Sequence, residues 1–124
     1  MEWLLVFFAG GAGSLARYLC SGFAQRIGGS GFPWGTLAVN VIGCLAIGVL
    51  AAMAGGKLHL DPRYRAPIFV GFLGGFTTFS SFGLETFHLL QHGRVGPAIA
   101  NVAASLLAGL AAVWIGFRLG ERLA

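Results

Sequence analysis

The sequence predicts an all-α membrane protein, with four transmembrane helices in a single transmembrane domain, residues 1–124. Three observations carry that prediction. Of 124 residues, 56% are hydrophobic and only 10% charged, whereas soluble domains carry about 25% charged residues. The chain weighs just 12.9 kDa, with mean hydropathy +0.81. A soluble globule that small leaves a large surface exposed, and this composition cannot make that surface polar. Four apolar segments reach the roughly 20 residues needed to cross about 30 Å of hydrocarbon at about 1.5 Å per residue. Finally, 21 residues are glycine, which in a bilayer lets helix backbones approach closely. A soluble enzyme and a disordered chain are both excluded.

The first helix is expected over about residues 3–23. Met1-Glu2 has no basic character and the apolar run is long, so a retained span is expected rather than a cleaved signal peptide. The second helix is expected over about 33–54, the third over about 66–90 and the fourth over about 96–117. Pro33, Pro67 and Pro97 stand at or near the three later starts, where proline is tolerated. The connections, residues 24–32, 55–65 and 91–95, are short, so consecutive helices run antiparallel. Gly10, Gly11, Gly13, Gly43, Gly48, Gly71 and Gly75 are candidates for close helix contacts.

The net charge is +4. The basic residues lie on loops and ends, beside anionic headgroups, so the partner they imply is membrane lipid and not nucleic acid. Lys57, Arg63, Arg65, Arg118 and Arg122 fall on the side of both termini; Arg26 and Arg94 fall on the other. That bias favours termini inside. Cys20 and Cys44 lie in apolar runs without a paired Cys or His and read as small packing residues.

Polar groups inside a bilayer are costly, so each is a functional candidate. Asn40 lies mid-way along the second helix, with Thr36 and Gly43 on the same face. It makes either an interhelical hydrogen bond or an amide donor to an anion. In the third helix, Gly74-Gly75 followed by Thr77-Thr78 is a poor helix former. A break there frees backbone carbonyls, which commonly coordinate a cation such as Na⁺. The alternative is a kinked packing helix whose hydroxyls bond back to the backbone. Phe69, Phe72, Phe76, Phe79 and Phe82 form a stripe, of which Phe79 and Phe82 stand beside Ser80 and Ser81. A phenyl ring has a positive edge, and ring edges with an amide would attract a small anion weakly enough to release it. Thr77, Ser81 and Glu85 make one polar track. Glu85 and His88 have di-metal spacing, but the further inward carboxylates such a centre needs are missing. Arg17 could snorkel, pair with Glu85, cap carbonyls or draw anions to a mouth. No Ser-His-Asp set, P-loop or HExxH is present, so the chain is not expected to be an enzyme.

Phe32-Pro33-Trp34-Gly35-Thr36-Leu37-Ala38-Val39-Asn40-Val41-Ile42-Gly43 and Gly71-Phe72-Leu73-Gly74-Gly75-Phe76-Thr77-Thr78-Phe79-Ser80-Ser81-Phe82 together resemble the CrcB/Fluc fluoride channels. Gly13-Ser14-Leu15-Ala16-Arg17-Tyr18 is similar to that family's first helix. The fourth matches more loosely, through Ser105, Gly109 and Val113-Trp114-Ile115-Gly116. The resemblance implies an antiparallel, dual-topology dimer in the bacterial inner membrane that exports fluoride passively through two pores. It implies Asn40 as a donor to fluoride, Phe79 and Phe82 as ring edges, and Ser80, Ser81 and Ser105 as hydroxyls beside the pore. It places Glu85 and Thr36 on the polar track, Arg17 near a vestibule, and a structural Na⁺ on the Gly74 and Thr77 carbonyls of both copies. Some members occur as paired genes, so a hetero-partner is an alternative to the second copy. Asn101 stands where the family often has Tyr, which changes the outer pore lining. Two other readings compete. A proton-coupled exporter of cations, similar to small multidrug transporters, would use Glu85 as its carboxylate. An accessory subunit would use the glycines and hydroxyls for packing alone.

Overall fold

The structure, a computed structural model, describes residues 1–56 and 60–124. Lys57, counted above on the side of the termini, lies outside the described residues. Among the described residues, four helical stretches are long and apolar enough to cross a membrane. Helix α1 is Glu2–Gly28 and α2 is Trp34–Gly55. Helix α3, residues 62–76, is built from Pro62–Ala66, Pro67–Leu73 and Gly74–Phe76. Helix α4 is Phe79–Gln91 and α5 is Val95–Leu123.

Helix α1 runs past the expected end because its polar C-terminal residues close the turn into α2. Gln25 donates from Nε2 to the carbonyls of Gly29 and Phe32, and accepts from the Gly35 N–H at 3.0 Å. Gly29 takes φ 85°, where glycine carries no steric penalty. Pro67 does not open the third helix. The helix begins at Pro62, where Asp61 accepts from the Arg63 N–H at 2.9 Å. This is an acidic N-cap followed by proline in the first turn. Pro67 instead begins a wider π-helical stretch, Pro67–Leu73, a local widening that often marks functional helices. Helix α5 continues six residues past 117, and Arg118 pairs there with Glu121 at 3.0 Å.

The helices pack as two parallel pairs through glycine. In α2 and α5, a Cβ on Gly48 would overlap the Val113 carbonyl, and one on Gly116 would overlap the Leu45 carbonyl. In α1 and α3, a Cβ on Gly13 would overlap the Phe72 carbonyl, and one on Gly75 would lie 2.5 Å from the Gly10 carbonyl. Such contact gathers dispersion energy where lipid offers no hydrophobic drive between helices. Gly11 plays no such part, for its Cβ position has no neighbour within 4 Å. Helix α4 differs from the rest, because none of its residues is buried.

Candidate functional site

One face of α2 meets the junction of α3 and α4 at three successive levels. Thr36 donates from Oγ1 to Glu85 Oε1 at 2.7 Å. Asn40 donates from Nδ2 to the Thr78 carbonyl at 3.0 Å and accepts from the Thr78 N–H through Oδ1 at 2.7 Å. A Cβ on Gly43 would overlap the Thr77 methyl group. The spacing of Thr36, Asn40 and Gly43 therefore acts as one surface that reads the junction.

At the junction, Thr77 has φ −86° and ψ 158°, and Thr78 has φ −151° and ψ 109°. Both are extended, and the two residues separate the helical Gly74–Phe76 from α4. Gly74 and Gly75 stay helical, because Gly75 must approach α1. In a continuous helix the Gly74 carbonyl would receive the Thr78 N–H, and the Thr77 carbonyl would receive the Ser81 N–H. Asn40 takes the first donor. Thr78 Oγ1 takes the second at 3.2 Å, as the N-cap of α4. Both carbonyls are thus released from their helical donors. The Thr77 carbonyl receives Arg17 Nη1 at 3.2 Å, so of the four possibilities open to Arg17 the structure shows carbonyl capping. The Thr77 hydroxyl donates back to the Leu73 carbonyl at 3.0 Å.

Two cavities meet at Thr78, which lines both. The first, about 350 Å³, is lined by Asn40, Gly74, Thr77, Phe79, Phe82 and Ser105 among others. None of its lining residues is charged. The rings of Phe79 and Phe82 lie 5.4 Å apart at 45°, and Phe79 is 81% exposed on the single chain. The second cavity, about 540 Å³, is lined by Arg17, Thr36, Ser81 and Glu85. Glu85 Oε2 is buried there without a hydrogen-bond partner among the described residues. Ser80 and Ser81 diverge: Ser81 accepts the Thr78 hydroxyl at 3.0 Å, while Ser80 is exposed with its Oγ 3.4 Å from Thr78 Oγ1.

Three residues matter that the sequence reading left without these roles. Thr78 caps α4, binds Asn40 and divides the cavities; its β-branched position beside Thr77 was the available signal. Asn101 is not a lining residue of either cavity. It is 2% exposed and donates to Thr86 Oγ1 at 2.9 Å. Gln25 clamps the first turn, and only its position just beyond the apolar run hinted at that.

Residues 4–117 match the family described as CrcB-like protein, Camphor Resistance (CrcB). Among similar proteins, one from Solibacter usitatus is 45% identical over 98% of this chain and 100% of its own length. One from Methylobacillus flagellatus is 46% identical over 94% and 91%, and one from Citrifermentans bemidjiense is 45% identical over 96% and 98%. Each of the three carries the name fluoride-specific ion channel FluC. With the match spanning all four apolar helices and the junction between α3 and α4, the chain belongs to the CrcB-like family.

Proposed function

We propose that the chain is a fluoride channel, a multi-pass protein of the bacterial inner membrane and not an enzyme, that lets F⁻ leave the cell down its gradient. The observation that carries this reading is the uncharged cavity in which Asn40 meets Phe79, Phe82 and Ser105. An amide nitrogen has two protons. Asn40 gives one to the Thr78 carbonyl, which orients the amide and leaves the other for an anion. Ring edges and a hydroxyl add weak positive potential. The N-terminus of α4, capped at Thr78, adds its partial positive charge. No charged side chain lines the cavity, so an anion there is not clamped by an ion pair and can move on.

Arg17, in the neighbouring cavity, raises the local anion concentration. Thr36, Ser81 and Glu85 give that cavity a polar wall. Glu85 also lines a third cavity of about 410 Å³ with His88, His92 and Arg94, which extends a polar route toward the surface. The cation-exporter reading loses its footing, because Glu85 is tied to Thr36 and stands outside the uncharged cavity.

The second half of the assembly is a second copy of the chain in inverted orientation. The exposed Phe79 ring and the open junction would be covered by that copy. The donor chemistry fits Na⁺: Gly74 and Thr77 each offer a carbonyl released from helical bonding. A carbonyl oxygen has two lone pairs, so Arg17 leaves one on Thr77. The equivalent carbonyls of two copies would complete the set, and Na⁺ bound there would supply a fixed positive charge that braces the junctions.

The test is fluoride efflux from liposomes reconstituted with the purified chain and loaded with fluoride salt, started with a K⁺ ionophore and read with a fluoride electrode. Rapid fluoride loss with chloride retained is expected. Equal loss of both ions, or no loss from folded and inserted protein, would overturn the reading.

A further inference from the structure

Helix α4 carries Phe79 and Phe82, two of the three phenylalanines that line the uncharged cavity, yet none of its 13 residues is buried. Apolar packing therefore does little to locate it, and hydrogen bonds do more. At its start, Thr78 is held by Asn40 of α2. At its end, the turn into α5 is closed by the Arg94 N–H on the Leu89 carbonyl at 2.8 Å. Between those points stands a relay from α5. Asn101 Nδ2 donates to Thr86 Oγ1 at 2.9 Å, and the Thr86 hydroxyl donates to the Phe82 carbonyl at 2.8 Å.

The proton count makes this relay directional. A hydroxyl has a single proton. Thr86 gives it to the Phe82 carbonyl, so Oγ1 can only accept from Asn101, which turns the amide nitrogen toward α4. The Thr86 side chain is pinned by bonds on both sides. The relay ends on the backbone of Phe82. It begins four residues before Ser105, on the same face of α5. Phe82 and Ser105 both line the uncharged cavity, so one hydrogen-bonded connection sets the register between a ring and a hydroxyl that come from different helices.

We infer that Asn101 and Thr86 are positioning residues for Phe82, fixing its ring against Ser105 without touching the ion. The inference rests on the fluoride-channel reading for its effect on transport, and on the geometry alone for its effect on the ring.

Thr86→Val removes the hydroxyl at nearly constant volume, Thr86→Ser keeps it, and Asn101→Leu removes the amide. Each full-length variant is reconstituted beside the unaltered chain, and its oligomeric state is checked by size-exclusion chromatography. Loss of one interhelical hydrogen bond is expected to slow fluoride efflux about three- to ten-fold in Thr86→Val and in Asn101→Leu. Chloride leak should rise relative to fluoride. The double variant should be no slower than either single one, and Thr86→Ser should match the unaltered chain. Wild-type rates in both single variants, additive losses in the double, or failure of Thr86→Ser would overturn the inference.

A second readout does not need transport. With 4-fluorophenylalanine placed at position 82, the ¹⁹F resonance should shift or broaden in Thr86→Val and Asn101→Leu and stay in place in Thr86→Ser. An unmoved resonance in Thr86→Val would overturn the positioning role. If the unaltered chain passes no fluoride while the resonance responds as expected, the channel reading falls and the positioning role stands.

Discussion

Asn40 serves the Thr78 peptide with both ends of its amide and keeps one proton free. The two readings of Asn40, packing bond and anion donor, are therefore compatible within one side chain. Asn40→Asp separates them. The carboxylate keeps the acceptor for the Thr78 N–H, but it sets a charge against the Thr78 carbonyl and has no proton for an anion. A charge at this depth costs about 2.5–3.5 kcal/mol, so fluoride efflux should fall about 70- to 400-fold while the purified variant keeps its oligomeric state. Normal flux in that variant would remove Asn40 from the pathway. Thr78→Val tests the neighbouring position. It removes the cap of α4 and should cost about 1 kcal/mol of stability, visible as a lower melting temperature in detergent; an unchanged melting temperature would mean that the cap is not needed to hold the helix end.

At the scale of elements, the glycine contacts divide the molecule into two tight pairs and one loosely held helix. Gly75→Val drives a branched side chain into the Gly10 carbonyl and Ser14 of α1. Overpacking of this kind costs about 1–3 kcal/mol. The variant should therefore show reduced folded yield and a lower melting temperature, whereas Gly11→Ala, in open space, should leave both unchanged. This contrast also marks what was legible in the sequence. Glycine content signalled close helix contacts, but not which helices pair, which glycines make the contact, or that Gly116 of the last helix is one of them, because the rotation of each helix is set by packing and not by its own residues. The same limit applies to the junction. Gly74-Gly75 and Thr77-Thr78 together signalled weak helix, but what places the departure at the threonines lies on other helices: Gly75 packs on α1, and Asn40 of α2 takes the Thr78 peptide. Asp61-Pro62 was a readable start signal for α3, obscured by the polar residues that follow it. The Thr36–Asn40–Gly43 face was legible from spacing alone. The Asn101–Thr86 relay was not, since the pairing of α4 with α5 leaves no periodic trace in either helix.

For the whole molecule, the face that bears Phe79 stands open on the single chain. Its phenyl ring, beside an uncharged cavity, meets Phe82 at 5.4 Å and is still 81% exposed. In the proposed dimer, a second copy inserted the other way up would bring the same face to it by two-fold symmetry. The basic residues favour termini inside, five to two, yet an antiparallel homodimer needs both orientations in one membrane. The two demands are separated by labelling. With Cys20→Ala and Cys44→Ala as background, Glu121→Cys places one thiol on the exposed end of α5 and loses only the surface pair with Arg118, a contact of little energetic weight. Membrane-impermeant maleimide applied to intact cells should label one population of chains, and permeabilisation should release the rest for labelling. Complete labelling or none before permeabilisation would show a single orientation, and the inverted partner would then have to be a different chain.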